Sequence, residues 1–139
     1  MKLVVIESPY AGEIEANVEY ARRCAADALK RGEAPFLSHL LYTQPGILND
    51  LVPEERELGI QAGIAWARCA DLVAVYTDRG VSRGMEFGVA AHVRAGRRIV
   101  CRSLSELVAG RDLPVHSFLC RCLSRGPCPL HDVGGEDVG

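Results

Sequence analysis

Four short, mostly apolar runs punctuate the chain at Leu3–Ile6, Ala34–Leu37, Asp71–Thr77 and Arg97–Cys101, and stretches of helical spacing separate them. Uninterrupted apolar runs of strand length belong to strands covered on both faces, unlike the alternating pattern of a half-exposed strand. Between the first two runs, Ile14, Val18, Ala21, Ala25 and Leu29 recur at helical spacing from Glu13 to Arg31, and Gly32 supplies the stop. A second helix opens at Pro53-Glu54-Glu55, with proline and acids suited to a first turn, and runs through Ile60, Ile64 and Trp66 towards Ala70. Trp66 is read as helix-face packing. A third helix, Met85 to Ala95, carries Phe87, Ala90 and Ala91 and stops at Gly96. Leu104 to Ala109 suits a further short helix. Strands alternating with helices specify an α/β domain, with a parallel sheet of four to five strands and helices on both faces.

A parallel sheet puts every strand exit on one edge, so residues scattered in sequence meet there. Ser8, Tyr10, Ser38, His39, Asp78 and Glu86 all follow a strand. The densest of these exits is Gly80-Val81-Ser82-Arg83-Gly84-Met85-Glu86-Phe87-Gly88, a glycine-punctuated turn between a strand and a helix. Such turns are where open α/β sheets bind ligands. Glu86 falls in the first helical turn, where unpaired backbone N–H groups favour a carboxylate by about 0.3–1 kcal/mol. An acid kept ionised at a cleft mouth suits a nucleophile better than a proton donor. Ser82 is an N-cap candidate, and with the Gly84 backbone it offers a phosphate cradle at a helix N-terminus. Asp78 before Arg79-Gly80 is also ordinary turn composition. The connection from Ser38 to Asp50 exceeds a dozen residues, a length that is usually functional or mobile.

Charge and hydropathy narrow the partner class. The net charge of −2 gives no attraction to nucleic acid polymers or anionic membranes, and a free small molecule is the better ligand expectation. No uncharged apolar stretch of about 18 residues is present to span a bilayer. Met1 to Glu7 runs into a strand without a signal-peptide core, so a cytoplasmic protein is expected. Arg97-Arg98 reads as a solvated start to the fourth strand. Cys24, Cys69 and Cys101 are expected to be reduced core thiols.

The segments Ala70-Asp71-Leu-Val-Ala-Val-Tyr76 and Ser82-Arg-Gly84-Met85-Glu86-Phe-Gly88 resemble the nucleoside 2-deoxyribosyltransferase superfamily, which includes nucleotide N-glycoside hydrolases. Ser8-Pro9-Tyr10, Pro35 to Tyr42, Pro53 to Arg56 and Gly80 to Met85 also resemble a phage and bacterial subgroup of it, so that the likeness spans about residues 2–102. The resemblance implies a doubly wound, flavodoxin-like (Rossmann-like) sheet and cleavage of the bond between a base and a ribose or deoxyribose. It implies Glu86 as the nucleophile at C1′, Asp71 as the residue that orients substrate or handles the base proton, and Tyr10 as a hydroxyl from the loop. Ser8, His39, Asp78, Gly80, Ser82, Gly84 and Met85 are the expected substrate contacts. The chain departs from the transferases at Gly80, where they often carry an aspartate, and at Val5, where they tend to carry a tyrosine.

These readings favour hydrolysis of a nucleoside 5′-monophosphate through a glycosyl-glutamate, without cofactor or metal. Deoxyribosyl transfer between bases, a phosphoribohydrolase-like activity on a modified adenine nucleotide, and nucleotide sensing without turnover are the alternatives. The resemblance further implies a homodimer or higher homo-oligomer. The expected organisation is a nucleoside deoxyribosyltransferase-like α/β domain over residues 1–110 and a partly loop-like C-terminal extension over 111–139. In that extension Cys120, Cys122, Cys128 and His131 are zinc-ligand types without the usual paired spacing, and free or oxidised thiols are the simpler reading.

Overall fold

A computed structural model describes residues 1–105 and 112–114. Its elements are β1 (Lys2–Glu7), α1 (Ile14–Lys30), β2 (Glu33–Phe36), α2 (Ser38–Leu41), α3 (Pro53–Ala67), β3 (Leu72–Tyr76), α4 (Arg83–Arg94), β4 (Ile99–Arg102) and β5 (Leu113–Pro114). The sheet order is β2-β1-β3-β4-β5. The first four strands are parallel, as expected, while the two-residue β5 adds antiparallel to β4. The expected helix over Leu104–Ala109 and the Cys120, Cys122, Cys128 and His131 group extend into or lie wholly outside the described residues. No helix among the described residues is long and apolar enough to cross a membrane.

Period-two alternation in the strands sorts the core into two layers. Val4, Ile6, Leu72, Ala74 and Tyr76 face α1, where Tyr20, Ala21, Cys24 and Ala28 cover them. Val5, Val73, Val75 and Cys101 face the other way, against Ala67 of α3 and Met85 and Val89 of α4. Every residue of β3 is buried, which accounts for the unbroken apolar run in the sequence. Burial pushes the Cys24 thiol up to about 12, so it behaves as a packed apolar group. Cys101 is buried too, but Cys69 is exposed, contrary to expectation, because α3 has already ended when the chain reaches it.

Trp66 also differs from the sequence reading. It is 54% exposed, with one ring face against Phe36 and its Nε1–H donating to the Tyr42 hydroxyl at 3.0 Å. Nor is Arg97 simply solvated, since the residue is half-buried and its Nη1 lies 2.9 Å from His92 Nδ1.

The long connection after β2 is ordered by a short helix rather than left as a loop. Leu37 ends the strand, α2 turns back, and the Thr43 hydroxyl closes it by donating to the His39 carbonyl at 2.6 Å. This turn lies hard against α3 at Gly63, where an added Cβ would sit 2.7 Å from Ser38 Oγ and 2.9 Å from Ser38 Cβ. Gly63→Ala is therefore expected to lower stability by about 1–3 kcal/mol through overpacking. In an unconstrained helix the same change would raise it by about 0.8–1 kcal/mol. Denaturant unfolding of the two proteins checks this, and an unchanged or higher midpoint would contradict the contact.

Candidate active-site cleft

In the order β2-β1-β3-β4 the chain reverses direction between β1 and β3, and the loops leaving these two strands separate to opposite sides of the sheet. Ligands of doubly wound sheets bind at this switch point. A cleft of about 650 Å³, counting its open mouth, opens there. The exit of β1 contributes Glu7, Ser8 and Tyr10, α2 contributes Ser38 and His39, α3 contributes Glu55 and Arg56, and the start of α4 contributes Ser82, Gly84 and Met85. Of the expected site residues, Ser8, Tyr10, His39, Ser82, Gly84 and Met85 thus meet in one place.

Each is held by its local structure. Ser8 is buried, and its hydroxyl lies 2.7 Å from His39 Nε2. Burial depresses the His39 pKa, against smaller opposing pulls from the Glu7 and Asp50 carboxylates. His39 therefore stays neutral near pH 7 and serves as a hydrogen-bonding group. Ser82 caps α4, its Oγ accepting from the Met85 N–H at 3.3 Å, while the Ser82 N–H donates to Met85 Sδ at 3.4 Å. The Tyr10 loop is fixed from below by the buried Asn17, whose amide nitrogen donates to the carbonyls of Tyr10 and Ala11 at 3.0 and 3.1 Å. Asn17 Oδ1 in turn accepts from Arg79 Nε at 2.8 Å, which ties the loop after β1 to the loop after β3.

Four expected residues lie elsewhere. Asp71 is at the opposite edge of the sheet, where its Oδ2 accepts from the Leu3 N–H at 2.7 Å and its own N–H donates to the Leu3 carbonyl at 2.8 Å. Five strand residues separate it from the β3 exit, roughly 17 Å at 3.3 Å per residue. Its place in the sequence is explained by closing that edge between β1 and β3. Asp78 is engaged by the fold, accepting from the Tyr20 hydroxyl at 2.6 Å, from the Ser103 hydroxyl, and from the Leu104 and Ser105 N–H groups at 3.0 and 3.3 Å. Partial burial works to raise its pKa, but these donors outweigh that and hold it below the usual carboxylate range. Gly80 (φ +79°) closes the turn, its N–H donating to the Thr77 carbonyl at 3.0 Å, and does not line the cleft.

Glu86 is the fourth. At 3.6 residues per turn it stands about 160° round the α4 axis from Gly84 and Gly88. Gly84 lines the cleft and Gly88 packs against Glu7, so the half-buried Glu86 occupies the other flank of the helix.

Among the cleft residues with no assigned role in the sequence reading are Glu7 and Arg56. Glu7 reads in sequence as the first residue of the turn after the Leu3–Ile6 run, yet it lines the cleft. Arg56 crosses from α3 to the α4 N-terminus, where a Cβ on Gly84 would lie 3.2 Å from its Nη2, and its Nη1 donates to Asp50 at 3.1 Å. Its position three residues after the proline that opens the helix was the available signal.

The neutral His39 has a measurable consequence. Unfolded, it takes up a proton below its ordinary pKa of 6.5, whereas folded it resists until a lower pH. The stability it contributes is present above about pH 6.5 and is lost as pH falls towards the folded value. The melting temperature of the wild type is expected to drop more steeply between pH 7 and 5 than that of His39→Gln. Parallel pH profiles would contradict the assignment.

Comparison with known proteins agrees with this architecture. A family model described as "Domain of unknown function (DUF7768)" matches residues 2–102. Similar solved structures include a 2-deoxyribosyltransferase from Bacillus psychrosaccharolyticus, with a TM-score of 0.58 and 14% identity, covering 75% of this chain and 74% of that one. Another is the 2-desoxiribosyltransferase from Leishmania mexicana, with a TM-score of 0.53 and 10% identity, covering 90% and 99% respectively. At these identities the likeness is one of fold. No curated protein matches the sequence. The chain belongs to the DUF7768 family.

Proposed function

We propose that this DUF7768 member cleaves the N-glycosidic bond of a nucleoside 5′-monophosphate in the cleft between β1 and β3, through a covalent glycosyl-glutamate, releasing base and sugar phosphate. The observation that carries the reading is the pairing of opposite chemistries across one cavity. A glutamate carboxylate, Arg56 and the Ser82-capped start of α4 all line this cavity. An oxocarbenium-like transition state is stabilised by a nearby anion that can also trap it covalently. Arg56 and the helix N-terminus suit a phosphate. Tyr10, Ser8 and the neutral His39 supply hydroxyl and imidazole groups for sugar and base. Water completes the reaction, and no cofactor is required.

The fold shared with 2-deoxyribosyltransferases supports a second outcome of the same first step. If another base rather than water attacks the glycosyl-enzyme, the product is an exchanged nucleoside. The reading also takes the protein to be a homo-oligomer, for which the exposed Leu58 and Trp66 of α3 offer apolar surface.

A panel of ribo- and deoxyribonucleoside monophosphates, assayed by chromatography for free base, tests the proposal. Release from at least one monophosphate is expected, and Arg56→Ala should raise its KM tenfold or more while changing KM for the matching free nucleoside less than threefold. Saturable nucleotide binding with no base released would contradict the enzymatic reading and leave a sensing module.

A further inference from the structure

We infer that the carboxylate that attacks C1′ is Glu7, at the end of β1, and that His92 and Arg97 are its positioning residues; this assignment rests on the N-glycosidase reading above. Glu7 lines the cleft, whereas Glu86 does not. Its side chain is mostly covered yet reaches the cavity, with 19% of its surface exposed. One oxygen, Oε1, lies 3.1 Å from Nε2 of the fully buried His92. The other, Oε2, accepts no hydrogen bond among the described residues, which leaves its lone pairs for a ligand.

The chain behind Glu7 fixes the proton positions. Arg97 Nη1 lies 2.9 Å from His92 Nδ1. A guanidinium only donates, so Nδ1 must accept, and the single imidazole proton is then on Nε2, pointing at Glu7. The order of donation is Arg97 to His92 to Glu7. A buried imidazole locked in one tautomer orients a carboxylate in the way that a carboxylate orients a catalytic histidine, with the roles exchanged.

Gly88 makes the arrangement possible. A Cβ there would lie 3.1 Å from Glu7 Oε1 and 3.4 Å from its Cδ and Oε2. The glycine thus lets the carboxylate lie flat against α4, on the helix face shared with Gly84 and opposite Glu86. The terminal glycine of the Gly84–Gly88 turn, rather than its glutamate, is what meets the reacting group.

In the first step a lone pair of Glu7 Oε2 forms a bond to C1′ as the C1′–N bond breaks and its electron pair leaves with the base. In the second step water attacks C1′ and the ester C–O bond breaks. The water's hydroxyl ends on the sugar phosphate and its proton on the base, and the carboxylate is regenerated.

Three variants and one trapping reagent test the assignment, using the monophosphate found most active in the panel. Glu7→Gln keeps an oxygen to accept from His92, so it should fold with an unchanged circular dichroism spectrum yet lose at least a thousandfold in kcat. Glu86→Gln should stay within threefold of wild type. Arg97→Gln should lower kcat tenfold or more with KM nearly unchanged and displace the acid limb of the pH–rate profile, which a purely structural contact would not do. A 2-deoxy-2-fluoro-arabinosyl nucleotide should add one glycosyl mass to the protein, on the peptide that contains Glu7. Labelling of the Glu86 peptide, or turnover lost in Glu86→Gln and kept in Glu7→Gln, would overturn this assignment while leaving the N-glycosidase reading intact. Absence of base release by the wild type across the panel would remove both.

Discussion

The molecule is organised by the burial of β3 on both faces and by its pairing with β1 on one side and β4 on the other. Because β3 joins the sheet beside β1 instead of beside β2, the chain must cross β1 by way of α3 on the face opposite α1. That single crossover creates the two-layer core. It also leaves the space at the carboxyl ends of β1 and β3 uncovered, since the helices that follow these strands depart to different faces. The cleft follows from the strand order, and a sheet of the same strands in sequential order would have none at this place.

Polar side chains then hold the cleft open and in register. Asn17 bridges the two exit loops, Asp78 gathers Tyr20 and the segment after β4, and Asp71 closes the far edge. Further along the α1 face, the buried Arg102 makes paired bonds of 2.7 and 2.8 Å to Glu33 and a third of 2.8 Å to Asp112. Burial alone would lower the Arg102 pKa, but these carboxylates more than reverse that and keep it charged. Buried pairs of this kind add little over apolar packing when intact, but removing one partner leaves a charge uncompensated. They serve chiefly to fix which segments meet. Cleft groups on β1, α2, α3 and α4 can therefore share one cavity although their sequence positions run from Glu7 to Met85.

Much of the architecture was legible because it rests on patterns with short physical periods. Continuous apolar runs marked the four parallel strands, and Gly32 and Gly96, both at positive φ, marked where helices stop. The gathering of Ser8, Tyr10, Ser38 and His39 followed from strand direction alone. Legibility failed where a role depends on which way a side chain turns. Asp71 and Asp78 have the residue type of a site and the hydrogen bonds of a frame. Glu86 and Gly88 differ by two positions in one turn, and only the helix phase relative to the sheet decides which of them meets the cavity. No local sequence signal marks Glu7, because a charged residue beside a strand end is ordinary and its contact with His92 spans 85 residues. Residue type suggests a core place for Cys69 and helix-face packing for Trp66, although α3 turns only a narrow strip, Gly63 and Ala67, fully inward.

The most direct test of the account is a crystal structure of Glu7→Gln, which binds but should not consume substrate, grown with the active nucleoside monophosphate. The account predicts the sugar in the cleft between β1 and β3, with C1′ facing the residue 7 side chain and the phosphate between Arg56 and the start of α4. A nucleotide bound with C1′ against Glu86, or seated at the opposite edge of the sheet beside Asp71, would contradict it.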